Sequence, residues 1–383
     1  MVTPFIRTST CLLGGGGAFF EADNIAIANV SASGNDALLG GGVVALGRAT
    51  TSVTNSSVTE NHASSSSGGL AVAGNSVVVD SVVVTGNSSD GSVGGIYVAT
   101  LNEDSSAIIS NSRVSNNVAS DIGGIFSISS PGGTLTISRT TVTENVGENV
   151  GGLNRVSGNL NIESSTISGN TGAGVYVGYG LGFVSLSASL PGSTFQPAVP
   201  LDDFSEVAVS HSTISGNSLE GITKYENVGC TSTESEASLS VCSTSLDSSA
   251  LSPAASAQIS VTLTLDHVLA ADNGLEDIAF AAQASWSLIE KADAAVVAGP
   301  GTQIGVDPGL LPLSRISDTV SVVPIAFGSA AWNAGSPLFV SPPATDQRGL
   351  PRIVDIVDIG AYEVQEALVV PVVVPVVIPA FTG

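Results

Sequence analysis

Hydrophobic and polar residues alternate in short runs along most of the chain, most clearly in residues 75–85 and 133–138. A two-residue period rich in Val, Ile and Thr is typical of β-strands whose two sides face different surroundings. Runs with the 3.6-residue period of an amphipathic helix are hard to find, and Ser, Thr, Gly and Val dominate over helix-favouring residues. The pattern therefore predicts an all-β protein.

These runs belong to a longer sequence motif that repeats between about Gly40 and Tyr176. Each copy opens with two glycines, continues through an alternating run and ends in an asparagine. The glycine pairs are 41–42, 68–69, 94–95, 123–124 and 151–152, and the closing asparagines are Asn61, Asn87, Asn117, Asn145 and Asn170. Successive asparagines are 26, 30, 28 and 25 residues apart. A period of this length indicates stacked structural units.

The repeat predicts a single right-handed parallel β-helix rather than a leucine-rich solenoid, because the Leu-x-x-Leu-x-Leu frame is absent. Three short strands and their turns fill one coil, and the next coil pairs with it in parallel at about 4.8 Å. We expect Val, Ile and Leu to point inward and Ser, Thr and Asn outward. The recurrent asparagine is expected to occupy a left-handed turn and to bond to the neighbouring coil. The glycine pairs are expected where φ is positive or where backbones crowd.

The extent of the repeated motif also predicts how the chain is divided into structural regions. Residues 1–17 read as an irregular N-terminus or truncated cap, 18–310 as the β-helix, 311–365 as an irregular C-terminal cap and 366–383 as an extended Pro/Val tail. Two insertions interrupt the β-helix at about 178–206 and 219–253. We expect them to lie side by side and to form the binding face, as insertions in solenoids usually do.

The charge balance narrows the choice of partners. Thirty-three acidic residues against ten basic ones give a net charge of −23, which argues against nucleic acid as a partner. An acidic surface favours solubility and divalent cations, so a calcium ion is the cofactor to expect, if any. No apolar run is long enough for a transmembrane helix, and no ordinary signal peptide is visible. We expect a monomer that an export signal normally precedes.

Three cysteines are present, and two of them lie close together in the second insertion. Cys230 and Cys242 enclose eleven residues. A disulfide between them is plausible in an exported protein. Cys11 would then remain a free thiol.

The C-terminal third contains two motifs, Thr345-Asp346-Gln347-Arg348-Gly349 and Asp358-Ile359-Gly360-Ala361-Tyr362-Glu363. They resemble the closing segment of exported bacterial right-handed β-helix proteins of the choice-of-anchor type. The coils resemble, less closely, the repeats of polymorphic outer-membrane adhesins, with Val or Ile in place of Phe. Both resemblances imply a secreted or cell-surface protein. Arg348 and Arg352 lie near four acidic residues, which favours ion pairs that hold the cap together.

Candidate catalytic residues cluster in and around the insertions. A glycosidase needs two carboxyl groups, which Asp202 and Asp203 could supply. A β-elimination lyase needs a base and a cation that neutralises the substrate. His211, Lys224 and Tyr225 are the candidate bases, and the calcium ligands would be Asp202, Asp203 and Glu226. A serine hydrolase is excluded because no Gly-x-Ser-x-Gly motif occurs.

Aromatic residues in the first insertion could bind sugars by stacking against their rings; the candidates are Tyr179, Phe183 and Phe204. The function that needs fewest special residues is non-catalytic. We therefore predict a secreted or cell-surface protein, adhesin-like, that binds glycans through its long flank or through the insertions. The alternative is an enzyme acting on acidic polysaccharides, with a lyase favoured slightly over a hydrolase. Asp266 and His267, at the end of a coil, are expected to be structural.

Overall fold

The computed structural model describes residues 16–100, 102, 104–130, 132–178, 206–224, 261–293 and 295–365, together with the backbone of residues 5–7 and 10–11. Across these ranges the chain contains strands, turns and bends but no α-helix. The strands stack in parallel as a β-solenoid, so the predicted fold class is confirmed. No described helix is long and apolar enough to cross a membrane.

Each coil has three principal strands, and we name the three sides of the solenoid after them. The glycine face follows the glycine pairs and consists of the first halves of Ala18–Ala28 and Val43–Thr54, then Leu70–Gly74, Ile96–Thr100, Ile125–Ile128, Val146–Arg155, Thr171–Val177 and Ile222–Lys224. The open face consists of the second halves of the same two long strands, then Ser76–Asp80, Ser106–Ser110, Thr134–Ser138, Asn159–Glu163, Glu206–Ser210, Thr262–Asp266, Ala282–Ser285 and Val296–Ala298.

The third side, the covered face, is an 11-stranded parallel sheet. Its strands are Phe5–Arg7, Ser31–Ser33, Ser57–Thr59, Val83–Thr85, Arg113–Ser115, Thr141–Thr143, Thr166–Ser168, Thr213–Ser215, Leu269–Ala271, Leu288–Ile289 and Gln303–Ile304. Short strands complete some coils at Thr10–Cys11, Asp36–Ala37, His62–Ala63, Ser88–Ser89 and Val118–Ala119. A small antiparallel pair, Ser314–Arg315 with Ser321–Val322, lies outside the solenoid.

The core consists of branched side chains stacked in register from coil to coil. On the covered face, Val58, Val84 and Val114 are register partners and are fully buried. On the open face, Val79 stacks between Val53 of the preceding coil and Ile109 of the following coil. Stacking like with like gives each side chain close contacts above and below, which is the packing that a two-residue alternation predicts.

The predicted asparagine ladder is present and continuous. The Asn87 amide donates to Asn117 Oδ1 at 2.9 Å, and its backbone N–H donates to the same oxygen at 3.0 Å. The same bonds join Asn35, Asn61, Asn87, Asn117, Asn145, Asn170, Asn217 and Asn273, and the ladder ends on the Asp277 carboxylate. Because each amide is both donor and acceptor, buried asparagines satisfy one another along the whole stack.

One detail of the turn prediction was wrong by a single position. The left-handed residue is the one before each asparagine, for example Glu60 at φ 56° or Asn116 at φ 54°. None of the ladder asparagines has a positive φ.

Crowding, rather than positive φ, explains the glycine pairs. A Cβ on Gly68 would lie 2.2 Å from the carbonyl oxygen of Ser88, and one on Gly95 would lie 2.4 Å from the carbonyl oxygen of Gly124. Both contacts are backbone atoms that cannot move aside, so any side chain there would push adjacent coils apart.

The C-terminal segment is irregular, as expected. We call residues 306–365 the strap, because they run along the outside of the covered face. Arg113 Nε donates to the Asp318 carbonyl at 2.6 Å, and Thr166 Oγ1 donates to Gln347 Oε1 at 2.5 Å. Further along, the backbone N–H of Ala361 donates to Thr213 Oγ1 at 3.0 Å. The strap therefore contacts successive coils of the solenoid, in addition to forming its own ionic cluster.

That ionic cluster contains the arginines singled out in the sequence. Arg348 forms an ion pair with Asp346 at 2.6 Å and lies against the Tyr362 ring. Arg352 is fully buried and donates to the Asp358 and Gly360 carbonyls at 3.1 and 2.6 Å. The expected structural role of both arginines is in line with these contacts.

Candidate functional site

Most of the predicted site residues lie outside the described residues: Tyr179, Phe183, Asp202, Asp203, Phe204, Tyr225, Glu226, Cys230 and Cys242. Their predicted roles in catalysis, calcium binding, sugar stacking and disulfide formation stay predictions. Of the predicted catalytic set, His211 and Lys224 are described, and the two occupy different sides of the coil.

His211 lies at the corner between the open and covered faces, in the left-handed conformation at φ 46°. Its ring is buried and stacks on His267 with centroids 4.7 Å apart, and Phe339 of the strap closes the site at 4.9 Å. Burial, assisted by the nearby positive charge of Arg352, lowers the pKa of His211 to about 2. A ring this buried and this weakly basic favours a structural role over the catalytic role that the sequence predicted.

Lys224 ends the last described strand of the glycine face, in register with Val177. Its Nζ lies 5.5 Å from the centre of the buried Phe280 ring. That contact is a cation–π interaction, which stabilises a partly desolvated ammonium group.

Three residues at the histidine corner come close enough to suggest a metal centre. Potential ligand atoms of His211, Asp266 and His267 all lie within 4.8 Å of one another. However, His267 Nε2 accepts the Ser336 N–H at 3.0 Å, so its proton lies on Nδ1, the nitrogen that faces Asp266. The two rings are also parallel within 7°, so their in-plane lone pairs cannot converge on one ion. These residues therefore do not fit a metal ion.

The glycine face carries a row of larger side chains on its outer side. Tyr97, Phe126, Asn154 and Tyr176 are successive register partners along this row. Tyr97 and Phe126 are in ring contact at 5.2 Å, and both are buried with an apolar cluster that also contains Ile122. This row resembles a sugar-stacking surface in composition, but Tyr97, Phe126 and Asn154 are buried and do not present their side chains to a ligand.

The open face differs because every outward position on its strands is exposed or half-buried. Three parallel rows of small side chains run along it. The central row includes Ser52, Val78, Ile108, Thr136, Asn161, Ala208, Thr264 and Gln283, in register from coil to coil. Five of these eight residues carry a hydroxyl or amide group, the other three are aliphatic, and none is aromatic.

A polar network orders the edge of this face near the corner. Ser110 Oγ and Asn111 Nδ2 donate to Asp80 Oδ1 at 2.6 and 2.7 Å, and Arg139 Nε donates to Asn111 Oδ1 at 2.8 Å. Burial acts to raise the pKa of Asp80, but these hydrogen bonds outweigh it and lower the pKa below its usual value. Asp80 is therefore a fixed, ionised acceptor at neutral pH.

Carboxylates dominate the remaining charge on the open face. Glu163, Glu206 and Asp266 point outward from its strands, as Asp80 does. The sequence indicated that outward residues would be small and polar, but alternation alone did not distinguish the open face from the covered one. The outward-pointing hydroxyl and amide residues could thus be identified in the sequence, but the sequence did not show which of the faces that carry them is exposed to solvent.

Comparisons of the chain with protein-family models, curated proteins and solved structures find no match. The choice-of-anchor and adhesin resemblances stay predictions.

Proposed function

We propose that the protein is a surface or secreted β-solenoid that binds an extended glycan along its open face. The observation that supports this most directly is the contrast among the three sides. Within the described residues, the glycine face is largely buried from Val43 to Val177, although its first coil exposes Phe19 and Phe20. Much of the covered face lies under the strap, whereas the open face exposes rows that are rich in hydroxyl and amide groups.

The periodicity of the open face suits a linear polymer. Parallel strands lie about 4.8 Å apart. The two rows that flank the central one, which contain Ser76, Ser106 and Thr134 on one side and Asp80, Ser110 and Ser138 on the other, therefore offer hydrogen-bonding groups at a nearly constant repeat over several coils. A polymer of similar units can meet the same kind of group repeatedly, which produces useful affinity from individually weak contacts. A compact ligand would use only a small part of such a surface.

The chemistry of the rows also matches sugar hydroxyls. Thr, Ser, Asn and Gln side chains can both donate and accept, as sugar hydroxyls do. The short side chains lose little conformational freedom on binding because most of them have few rotatable bonds. The rigid stack beneath them holds the spacing constant, so the surface is preorganised.

Affinity electrophoresis and pull-down with a panel of neutral, basic and acidic polysaccharides would test the proposal. The blocking variant Thr136→Arg/Asn161→Arg places two long side chains in the central row of the open face. We expect it to lose at least about tenfold in affinity for the polymer bound by the unaltered protein, a change of roughly 1.4 kcal/mol.

The matched control is Ser31→Arg/Ser57→Arg, which adds the same charge to a row of the covered face that is only half-buried. It should bind as well as the unaltered protein. Failure of every polysaccharide to bind, or equal loss in both variants, would contradict the proposal. Unsaturated products or new reducing ends in the same incubations would instead support an enzyme with its site at the insertions.

A further inference from the structure

Within the described residues, the interior of the solenoid contains a charged side chain in a stack that otherwise, from Val72 to Val177, holds small apolar or hydroxyl side chains. Arg155 occupies an inward position of the glycine face, where its register partners are Ser127 on one side and Val177 on the other. The coils before Ser127 place Val72 and Val98 at this position, and both are core residues. An arginine has thus replaced a valine-sized core residue, and its side chain is completely buried.

The guanidinium reaches the corner between the glycine and open faces, where it meets neutral oxygens. Nη1 donates to Ser127 Oγ at 2.7 Å, and Nη2 donates to Ser129 Oγ at 2.8 Å and to the Gly133 carbonyl at 3.0 Å. Nε has no hydrogen-bond partner although it is buried. Three of the five N–H groups of an arginine are therefore used.

Further unpaired donors surround the same corner. The hydroxyls of Ser105 and Ser157 are both buried without a hydrogen-bond partner. A Cβ on Gly133 would lie 2.9 Å from Ser129 Oγ and 3.0 Å from Ser105 Oγ, and one on Gly158 would lie 3.0 Å from Arg155 Nη2. Only glycine at these two positions lets the backbone approach the hydroxyls and the guanidinium this closely.

The positive charge of Arg155 is not neutralised by the protein. No carboxylate in the described ranges forms an ion pair with it, in contrast to Arg48, Arg315 and Arg348. Burial lowers the pKa of Arg155 to about 9, with no acidic group acting against this effect, so the side chain remains charged at neutral pH. Burying a charge without a partner is costly, and buried charges in proteins are normally paired.

We propose that Arg155 and the surrounding hydroxyls bind a small halide ion, chloride under ordinary conditions, inside the corner of the solenoid. The unpaired Nε–H supplies a charge-assisted donor, and the free serine hydroxyls can turn toward an anion. A water molecule could satisfy the same donors but would leave the charge unbalanced. The complete burial of the corner favours a small ion acquired during folding over a bulky anion that exchanges with solvent.

Thermal unfolding of the full chain in sodium chloride and in sodium gluconate of equal ionic strength tests the halide directly. A ligand that binds only the folded state raises its stability in proportion to ln(1 + [L]/Kd). We expect the melting temperature to rise by several degrees with chloride or bromide, on a saturating curve, and not with gluconate.

Arg155→Met is the matching variant, because methionine fills much of the same apolar volume without the charge. We expect it to lose the halide dependence. Arg48→Met is the control, since Arg48 is exposed and paired with Glu21 and Asp23, and it should keep the dependence. Equal melting in chloride and gluconate, or a dependence that persists in Arg155→Met, would overturn the proposal.

Crystals of the unaltered protein grown in bromide provide a second measurement if Arg155→Met does not fold. An anomalous peak within hydrogen-bonding distance of Arg155 Nε would establish the site. An ordered water there without anomalous signal would overturn it.

Discussion

The open face and the covered face are built from the same kind of sequence yet end in different surroundings. On the open face, Thr134 and Thr136 point outward and remain half-buried. On the covered face, Thr141, Thr166 and Thr213 also point outward but are fully buried. Alternation therefore determines which residues point away from the core, whereas the strap determines which of those residues reach solvent.

The covered face itself contains the same contrast between its two ends. Its early coils, at Ser57 and Val83, are half-buried, and burial is nearly complete from Arg113 to Ile289. The change coincides with the first strap contact, from Arg113 to the Asp318 carbonyl. On this part of the covered face, hydroxyl groups form hydrogen bonds with the strap instead of with water. The contact between the strap and the covered face is therefore largely polar.

The largest difference in behaviour between the two faces is expected when the strap is released by replacing Arg352. Arg352→Ala would remove a buried cation that lies among Asp346, Asp358 and Glu363 and would leave their oxygens poorly compensated. We expect a loss of about 3–5 kcal/mol in unfolding free energy. Hydrogen exchange should accelerate in the strap and in the covered face, and remain slow in the core of the open face.

Arg315→Ala is the control, because Arg315 forms an exposed pair with Asp318 in the same segment. Such pairs contribute at most about 1 kcal/mol, so the variant should behave like the unaltered protein. Equal acceleration of exchange on both faces in Arg352→Ala would show that the strap and the solenoid unfold together and would contradict the expected difference between the faces.

The next largest effect is a loss of folding stability at acid pH, caused by His211, which is buried beneath Phe339 of the strap. The folded-state pKa of His211 is about 2, and its ordinary value is 6.5, so the unfolded chain binds a proton that the folded protein does not. Stability should therefore fall as pH decreases from about 6.5, by about 1.4 kcal/mol per unit, or ~3 kcal/mol at pH 4. His211→Phe keeps the ring stack and should lack this contribution.

Glu363 on the strap should act in the opposite direction. Burial raises the pKa of Glu363 to about 8 from an ordinary value of 4.5, despite backbone hydrogen bonds and nearby Arg352. Its contribution is complete below about pH 4.5 and is lost as pH rises toward 8. Unfolding curves of His211→Phe and Glu363→Gln, each subtracted from the unaltered protein across this range, should slope in opposite directions. Parallel difference curves would contradict the assignment.

Much of the solenoid could be predicted because its information is local and repeated. Val58, Val84 and Val114 recur at one position of the repeated motif, and Asn61, Asn87 and Asn117 at another, so each copy supports the same assignment. The repeat could not show the strap, since Gln347 meets Thr166 through a contact across 181 residues between segments of unrelated sequence. The buried Arg155 was missed for a similar reason, because a single charged residue within an otherwise regular copy gives no sign of which way it points.

The smallest predicted effect compares one substitution on the two faces. Thr141 Oγ1 donates to the Ser321 carbonyl at 2.8 Å and accepts from the Ser321 N–H and Gln347 Nε2 at 3.0 Å each. Thr141→Val preserves the shape but leaves these buried groups of the strap without their partner. We expect a cost of about 1–3 kcal/mol, the range for an unsatisfied buried polar group.

Thr136→Val makes the same change on the open face, where the hydroxyl side is half-buried and water can replace any lost bond. Its effect should stay within about 0.5 kcal/mol, and the high strand propensity of valine could even make it favourable. Chemical denaturation of both variants measures the difference directly. Because the two threonines share chemistry, strand type and orientation, a clear difference can come only from what lies above them, and equal costs would mean that the strap contributes nothing to the covered face.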